Sequence, residues 1–405
     1  MQGYVYPNEY ELHWSLLVAV YPYLTGLVAG AFILASLARV FNMREVQPVY
    51  RLSLLAALAW LIAAPLPLLA HLGHPLRSYE ILVTPNVRSA MAMFGFVYAW
   101  YLMVVLLLEV WFDYRKDLVI WARGATGPLA WLRRVLTLGA SDLSPQALAF
   151  DQRAGRLITI IGIPSAFLLH GYVGFIFGSV KANPWWSSVL MPVVFLFSAI
   201  VSGIALMLLL YMVTNLLRFK PVDMKCMDKL GALLLYALIV DFSLEMLDFT
   251  QRLYEAEESI TILSQMLSSR LVLSLLVLQV LLGTVVPLVA LFVVAPTIRR
   301  VGLIAVPDEL RRLIYFVVAI LIQIGIFSTR WNVVIGGQLF SKSLRGLTTY
   351  KVELLGLEGV LTAGAILLLP FVILYVLVKV LPPWPEAEVH PEEVAAGPAA
   401  AAPAS

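Results

Sequence analysis

The sequence predicts an all-α fold: a polytopic integral membrane helical bundle of about nine transmembrane helices. Three observations predict it. The 405 residues are 61% hydrophobic and only 13% charged, against roughly 45–50% apolar and 25% charged usage in soluble domains, and the mean hydropathy is +0.89. The apolar residues gather in runs near the roughly twenty residues that cross a bilayer as a helix. In lipid a lone strand would leave its backbone groups unpaired, so each run is read as helical.

The runs fall at about 15–38, 52–72, 89–112, 157–179, 187–217, 230–250, 271–294, 312–329 and 355–380. In the first, Tyr21-Pro22-Tyr23 precedes Gly26-Leu-Val-Ala-Gly30. Glycines four apart let a neighbouring helix approach closely, and Pro22 predicts a kink beside the two tyrosines. The second run ends in His71-Leu72-Gly73-His74-Pro75-Leu76-Arg77-Ser78, a polar break at the membrane boundary. It reads as an interfacial cap with a snorkelling Arg77, or as one wall of a polar site. Between the third and fourth runs, the loop 113–156 carries Leu118-Val-Ile-Trp121 and Leu129-Ala-Trp-Leu-Arg-Arg-Val135, which read as interfacial segments on an anionic leaflet. Asn183-Pro184-Trp185-Trp186 is a tight turn with aromatics at headgroup level. The longer loops 251–270 and 331–351 are expected to form a docking surface for an external partner. From Pro382 to Ser405 the Pro/Ala/Glu-rich composition predicts a disordered tail, leaving 1–381 as the transmembrane domain.

Basic residues set the orientation. Of 28 Lys and Arg, 19 fall on one alternating set of loops and nine on the other, which puts the N-terminus outside and the C-terminus inside a prokaryotic cytoplasmic membrane. Lys342, Arg345 and Lys351 run against that split. The N-terminal stretch lacks a basic n-region, so the first span is expected to direct insertion. A net charge of +3 is too balanced to suggest nucleic-acid binding. The single Cys226 excludes an internal disulfide or an iron–sulfur cluster held by this chain, and no metal site is expected.

Ionisable groups inside a membrane cost about 2.5–3.5 kcal/mol each on insertion scales, so each is a functional candidate. Asp241, Glu245 and Asp248 are spaced four and three apart and lie on one stripe of the sixth helix, with Arg252 a turn further on. Nothing within that helix neutralises Asp241 or Glu245. His170 lies past the midpoint of the fourth helix, Arg330 ends the eighth, and Glu353 and Glu358 open the ninth. With Tyr21, His71 and Arg77 they place polar groups from six helices at one outer depth. Such a set is either a structural ion-pair network or a pocket for a flat molecule with two oxygens that exchanges two protons. Glu109, Gln279 and Gln323 offer polar groups toward the other face, as a proton path or as packing hydrogen bonds.

The order of these stretches resembles the NrfD/PsrC family of membrane subunits. The likeness rests on His71-Leu-Gly-x-Pro-x-Arg77 followed by Asn86-Val-Arg-Ser-Ala-Met91, on His170 with the Asn183-Pro-Trp-Trp turn, on Arg330, and on Glu353-Leu-Leu. Trp14-Ser15 with Tyr21-Pro-Tyr23-Leu-Thr-Gly26 and Arg77-Ser-Tyr-Glu80 are similar to the DsrP-type subunit of DsrMKJOP complexes. His71 departs from the family, many of whose members have Asp there. The resemblance implies two four-helix bundles plus one extra helix. It implies a quinone, menaquinone or ubiquinone, bound by Tyr21, His71, Arg77, His170, Arg330 and Glu353, with Asp241 and Glu245 exchanging protons. It implies no haem or iron–sulfur cluster in this chain, a ferredoxin-like iron–sulfur partner on the outer face, and further redox subunits. Two other classes fit the residues: a secondary transporter, from its buried carboxylates and broken helices, and a haem b anchor, in which His71 and His170 would be the axial pair.

Overall fold

The computed structural model describes Leu12 and residues 14–384, apart from 85, 125, 256–259, 296–305, 342, 344 and 345. Among these residues nine helices are long and apolar enough to cross a membrane. They are α1 (Leu16–Arg39), α2 (Arg44–His71), α3 (Ala92–Arg123), α4 (Pro145–Gly178), α5 (Met191–Leu217), α6 (Met224–Tyr254), α7 (Val272–Val294), α8 (Asp308–Gln338) and α9 (Val360–Val380). The apolar runs mark their cores. Several helices extend past them, because charged turns at a helix end stay helical once outside the hydrocarbon. The expected tail lies outside the described residues from 385 onward, as do Arg299, Arg300, Lys342 and Arg345.

Two bundles meet at α1 and α5. α1 packs on α2, α4, α5 and α8, α5 packs on α4, α6 and α8, and α7 lies against α8. So α1–α4 and α5–α8 are the halves, and α9 lies outside against α2 and α1, with Phe371 edge-on to Trp60 at 4.9 Å. Glycines set the closest crossing. A Cβ on Gly30 would lie 2.1 Å from the Ala199 carbonyl oxygen, and one on Gly203 would lie 2.4 Å from the Gly30 Cα. The expected role of Gly30 in helix packing is therefore observed. Gly26 differs: its missing side chain leaves room for the His170 ring, which a Cβ there would meet at 3.2 Å.

Three spans are interrupted. α2 breaks at Ala64-Pro65 between Tyr50–Ala63 and Leu66–His71, because Pro65 cannot donate to the preceding turn. Wide π-type turns occupy Tyr101–Leu106 in α3 and Val272–Val285 in α7, a rare geometry that often accompanies functional residues. α9 starts later than its hydropathy predicts. Gly356 has φ +104°, so the apolar Leu354–Leu357 stretch is loop, and the helix begins after Gly359.

At the end of the bundle where α1 finishes, Arg51 binds Asp113 and Asp117, each at 2.8 Å. Arg115 binds Asp151, and Arg311 binds Asp228. The segment Pro128–Leu136 forms a short helix whose Arg133 donates to the Val380 carbonyl at 3.0 Å and lies over Trp121.

Candidate functional site

The site is built where the two bundles touch. His170 of α4 is fully buried, in the space that Gly26 leaves. Its Nδ1 lies 3.3 Å from the Thr25 hydroxyl and its Nε2 lies 3.2 Å from Arg330 Nη2. Thr25 also reaches the Tyr21 carbonyl, one turn along α1, at 3.3 Å. Arg330 of α8 is itself fully buried. Its Nη2 donates to the Ser198 hydroxyl at 2.5 Å, and the guanidinium lies 4.2 Å over the Phe195 ring, a contact that a planar cation makes well.

Beyond Arg330 stands the α6 stripe. Asp241 is 3% exposed. Glu245 accepts from Gln279 Nε2 at 3.2 and 3.3 Å, and Gln279 Oε1 accepts from Asn332 Nδ2 at 2.8 Å. Thr25, His170, Arg330 and Ser198 form one run of contacts across α1, α4, α8 and α5, and Glu245, Gln279 and Asn332 form another across α6, α7 and α8.

Several buried polar atoms here have no hydrogen-bond partner among the described residues: the Tyr21 hydroxyl, Arg330 Nε and Nη1, Asp241 Oδ1 and Asn332 Oδ1. Buried polar groups are paired in folded proteins in the great majority of cases, by protein, water or ligand. Five such atoms around these two runs of contacts fit a polar ligand or internal water. Tyr21 also packs edge-on against Phe94 of α3 at 5.4 Å.

The remaining expected residues lie elsewhere. His71 approaches Glu358 at 3.1 Å, off the line of a hydrogen bond, and ties the end of α2 to the approach of α9. Arg77 points outward, with 68% of its side chain exposed, and pairs with Glu80. That pairing holds the Glu80 carboxyl below its usual range. Glu353 is exposed in the loop before α9, where its carbonyl accepts from Val360 at 2.9 Å. The six helices therefore do not contribute at one depth. Tyr21, His170, Arg330, Asp241 and Glu245 come together, while His71 marks a lip, and Arg77 and Glu353 lie outside it. The reason is local: Gly73, Pro75 and Gly356 end the helices before those charges.

Asp248 and Arg252 form the i,i+4 pair expected at the end of α6, at 2.9 Å. Gln323 accepts from the Tyr23 hydroxyl and donates to the Ser202 carbonyl, both at 2.7 Å, so it cross-links three helices. Glu109 is fully buried. Its Oε1 accepts from Thr159 at 2.7 Å, while its Oε2 has no partner among the described residues. Thr159 is eleven residues from His170 along α4, about 17 Å of helix. Thr25, Ser198 and Asn332 join the site unannounced by the sequence, since a lone hydroxyl or amide in an apolar helix reads as packing. In the loop expected as a docking surface, Leu339, Phe340, Ser341, Gly346 and Thr348 are buried.

The described residues thus form a helical membrane protein with histidine, arginine and carboxyl side chains buried inside it. Its kinship with known proteins says which family it belongs to. Residues 5–342 match the family model "Polysulphide reductase, NrfD", and the chain belongs to this family. It is 35% identical over 246 residues to a selenate reductase subunit of Mesobacillus selenatarsenatis, covering 60% of this chain and 57% of that one. It is 29% identical over 228 residues to a putative dimethyl sulfoxide reductase membrane subunit of Halobacterium salinarum, covering 55% and 48%. It is 25% identical over 196 residues to an Hdr-like menaquinol oxidoreductase integral membrane subunit of Archaeoglobus fulgidus, covering 48% and 40%. The chain thus spans about half the length of the curated relatives it matches.

Proposed function

We propose that the chain is the quinone-interacting subunit of a respiratory oxidoreductase complex. It exchanges electrons with a ferredoxin-like iron–sulfur subunit on the outer face, which further redox subunits connect to the terminal donor or acceptor. The observation that carries this reading is the run of contacts from Tyr21 through Thr25 and His170 to Arg330, beside the Glu245, Gln279 and Asn332 run on α6, α7 and α8, with unpartnered polar atoms on Tyr21, Arg330, Asp241 and Asn332. A quinone takes up or releases two protons with two electrons, so its site needs groups that hold protons out of water. Menaquinone and ubiquinone both meet that chemistry.

In this reading the open Tyr21 hydroxyl and the His71 imidazole face the quinone oxygens. His170, with both ring nitrogens engaged and no exposed surface, stands behind them and orients Arg330. Asp241 and Glu245 take and return the proton. Glu109 continues the path in the first bundle toward the far face, which would let turnover move protons across the membrane. The name of the Archaeoglobus relative includes menaquinol, which supports the substrate class. The orientation, N-terminus outside, rests on the basic-residue split.

Purification of the intact complex tests the reading. Extracted lipid should contain quinone, an iron–sulfur subunit should accompany the chain, and Tyr21→Phe should lower quinol turnover on the order of a hundredfold, the lower end of the range for loss of one positioned proton donor. A chain that purifies alone, without quinone and without turnover, contradicts it.

A further inference from the structure

The turn between α4 and α5 does more than reverse the chain. Trp185 Nε1 donates to the Asn332 carbonyl at 2.9 Å, and Trp186 Nε1 donates to the Val333 carbonyl at 2.6 Å. These carbonyls lie in the last helical turn of α8, where a helix leaves its acceptors without backbone donors. Asn183 Nδ2 donates to the Gly337 carbonyl at 2.7 Å, while Asn183 Oδ1 accepts from the Trp185 and Trp186 amides at 3.0 and 3.3 Å. The fit is close: a Cβ on Gly337 would lie 2.0 Å from Trp186 Nε1. The same turn grips α6. Ser188 donates to Asp248, and Arg252 Nη1 donates to the Pro184 carbonyl at 2.6 Å.

The helix ends held in this way carry the site. Arg330 lies two residues before Asn332, Glu245 lies three before Asp248, and His170 is on α4, which leads into the turn. The His170–Arg330 contact is 3.2 Å, near the end of hydrogen-bonding range. An axial slip of one residue, about 1.5 Å, would break it.

We infer that Asn183, Trp185 and Trp186 are positioning residues: a clamp that fixes the axial register of α8 and α6 against α4, and so sets the geometry of the His170, Arg330 and carboxyl cluster. The functional half of this inference rests on the quinone reading above. The structural half does not.

Asn183→Asp is the sharpest variant, because it keeps the acceptor for the two indole-bearing residues and removes the donor to Gly337. Trp185→Phe and Trp186→Phe remove the other two donors and keep a ring in place. Trp14→Phe is the packing control. Trp14 stacks on Trp186 at 5.2 Å and has no part in the clamp. In the assembled complex, Asn183→Asp and the two tryptophan variants should lower kcat for quinol on the order of tenfold to a hundredfold, the scale expected for a misplacement near 1 Å. They should displace the pH profile of turnover and leave KM within about twofold, while Trp14→Phe keeps the wild-type profile.

Nitroxide pairs on the outer ends of α6 and α8, in a Cys226→Ser background, report register without any turnover. Their distance distribution should broaden or shift in Asn183→Asp. If Asn183→Asp keeps the wild-type distances and pH profile, or if Trp14→Phe matches the tryptophan variants, the clamp is overturned. A variant that fails to assemble is read through Asn183→Asp, and failure of all three clamp variants to assemble, with Trp14→Phe intact, also overturns it, since the turn would then be needed for folding and not for register. Absence of quinol turnover in the wild type would sink the quinone reading and leave the distance test standing.

Discussion

Gly30→Ala gives the sharpest structural prediction, since two opposing magnitudes can be compared. A Cβ at position 30 would lie 2.1 Å from the Ala199 carbonyl oxygen and 2.8 Å from the Gly203 Cα. Ordinary contact begins at 3.4 Å, so α1 and α5 must part by about 1.3 Å, and the obstructing atoms are backbone that cannot rotate away. Overpacking of this kind costs about 1–3 kcal/mol or more, while alanine gains about 1 kcal/mol in helix propensity over glycine. The clash wins. Gly364→Ala is the matched control, because nothing lies within 4 Å of a Cβ there. Thermal unfolding of the complex in nanodiscs should place Gly30→Ala below the wild type and Gly364→Ala at or above it. Equal midpoints for the two alanine variants would refute the close crossing.

At the lip, His71→Ala should reduce quinol turnover more than Arg77→Ala, since His71 contacts Glu358 and Arg77 faces outward with Glu80; steady-state rates of the two assembled complexes decide, and the reverse order would place the site outside α2. Single cysteines in a Cys226→Ser background should be labelled from outside in 331–351 but not in 113–156, and the opposite pattern inverts the orientation. Asp241→Asn and Glu109→Gln should retain electron transfer and lose proton translocation in proteoliposomes, a result that fails if the wild type translocates nothing.

The sequence announces the spans because roughly twenty-residue apolar runs have no other stable solution in lipid, and all nine helical cores are where hydropathy puts them. It misplaces helix ends for a physical reason. Leu354, Leu355 and Leu357 look like membrane residues, but Gly356 turns the chain before α9 can start. His170, Arg330, Asp241 and Glu245 stand out as candidates because charge inside a membrane is costly. Their grouping does not, because which helices face one another is set by crossings such as Gly30 on Gly203 that a single sequence does not pair. Gln323 reads from the sequence as a relay or as packing, and its hydrogen bonds join α1, α5 and α8. Trp185 and Trp186 look like interfacial aromatics, and only the structure shows their indoles on the last carbonyls of α8.

The central claim is that a quinone sits at the outer half of the first bundle, against the contact chain that begins at Tyr21. Photoaffinity labelling of the intact complex with an azidoquinone, followed by peptide mapping, tests it most directly. The account predicts label on the α1 and α4 segments around Tyr21 and His170, suppressed by excess unlabelled quinone and reduced in Tyr21→Phe. Competable label confined to α7 or α9, with none on α1 or α4, would contradict it.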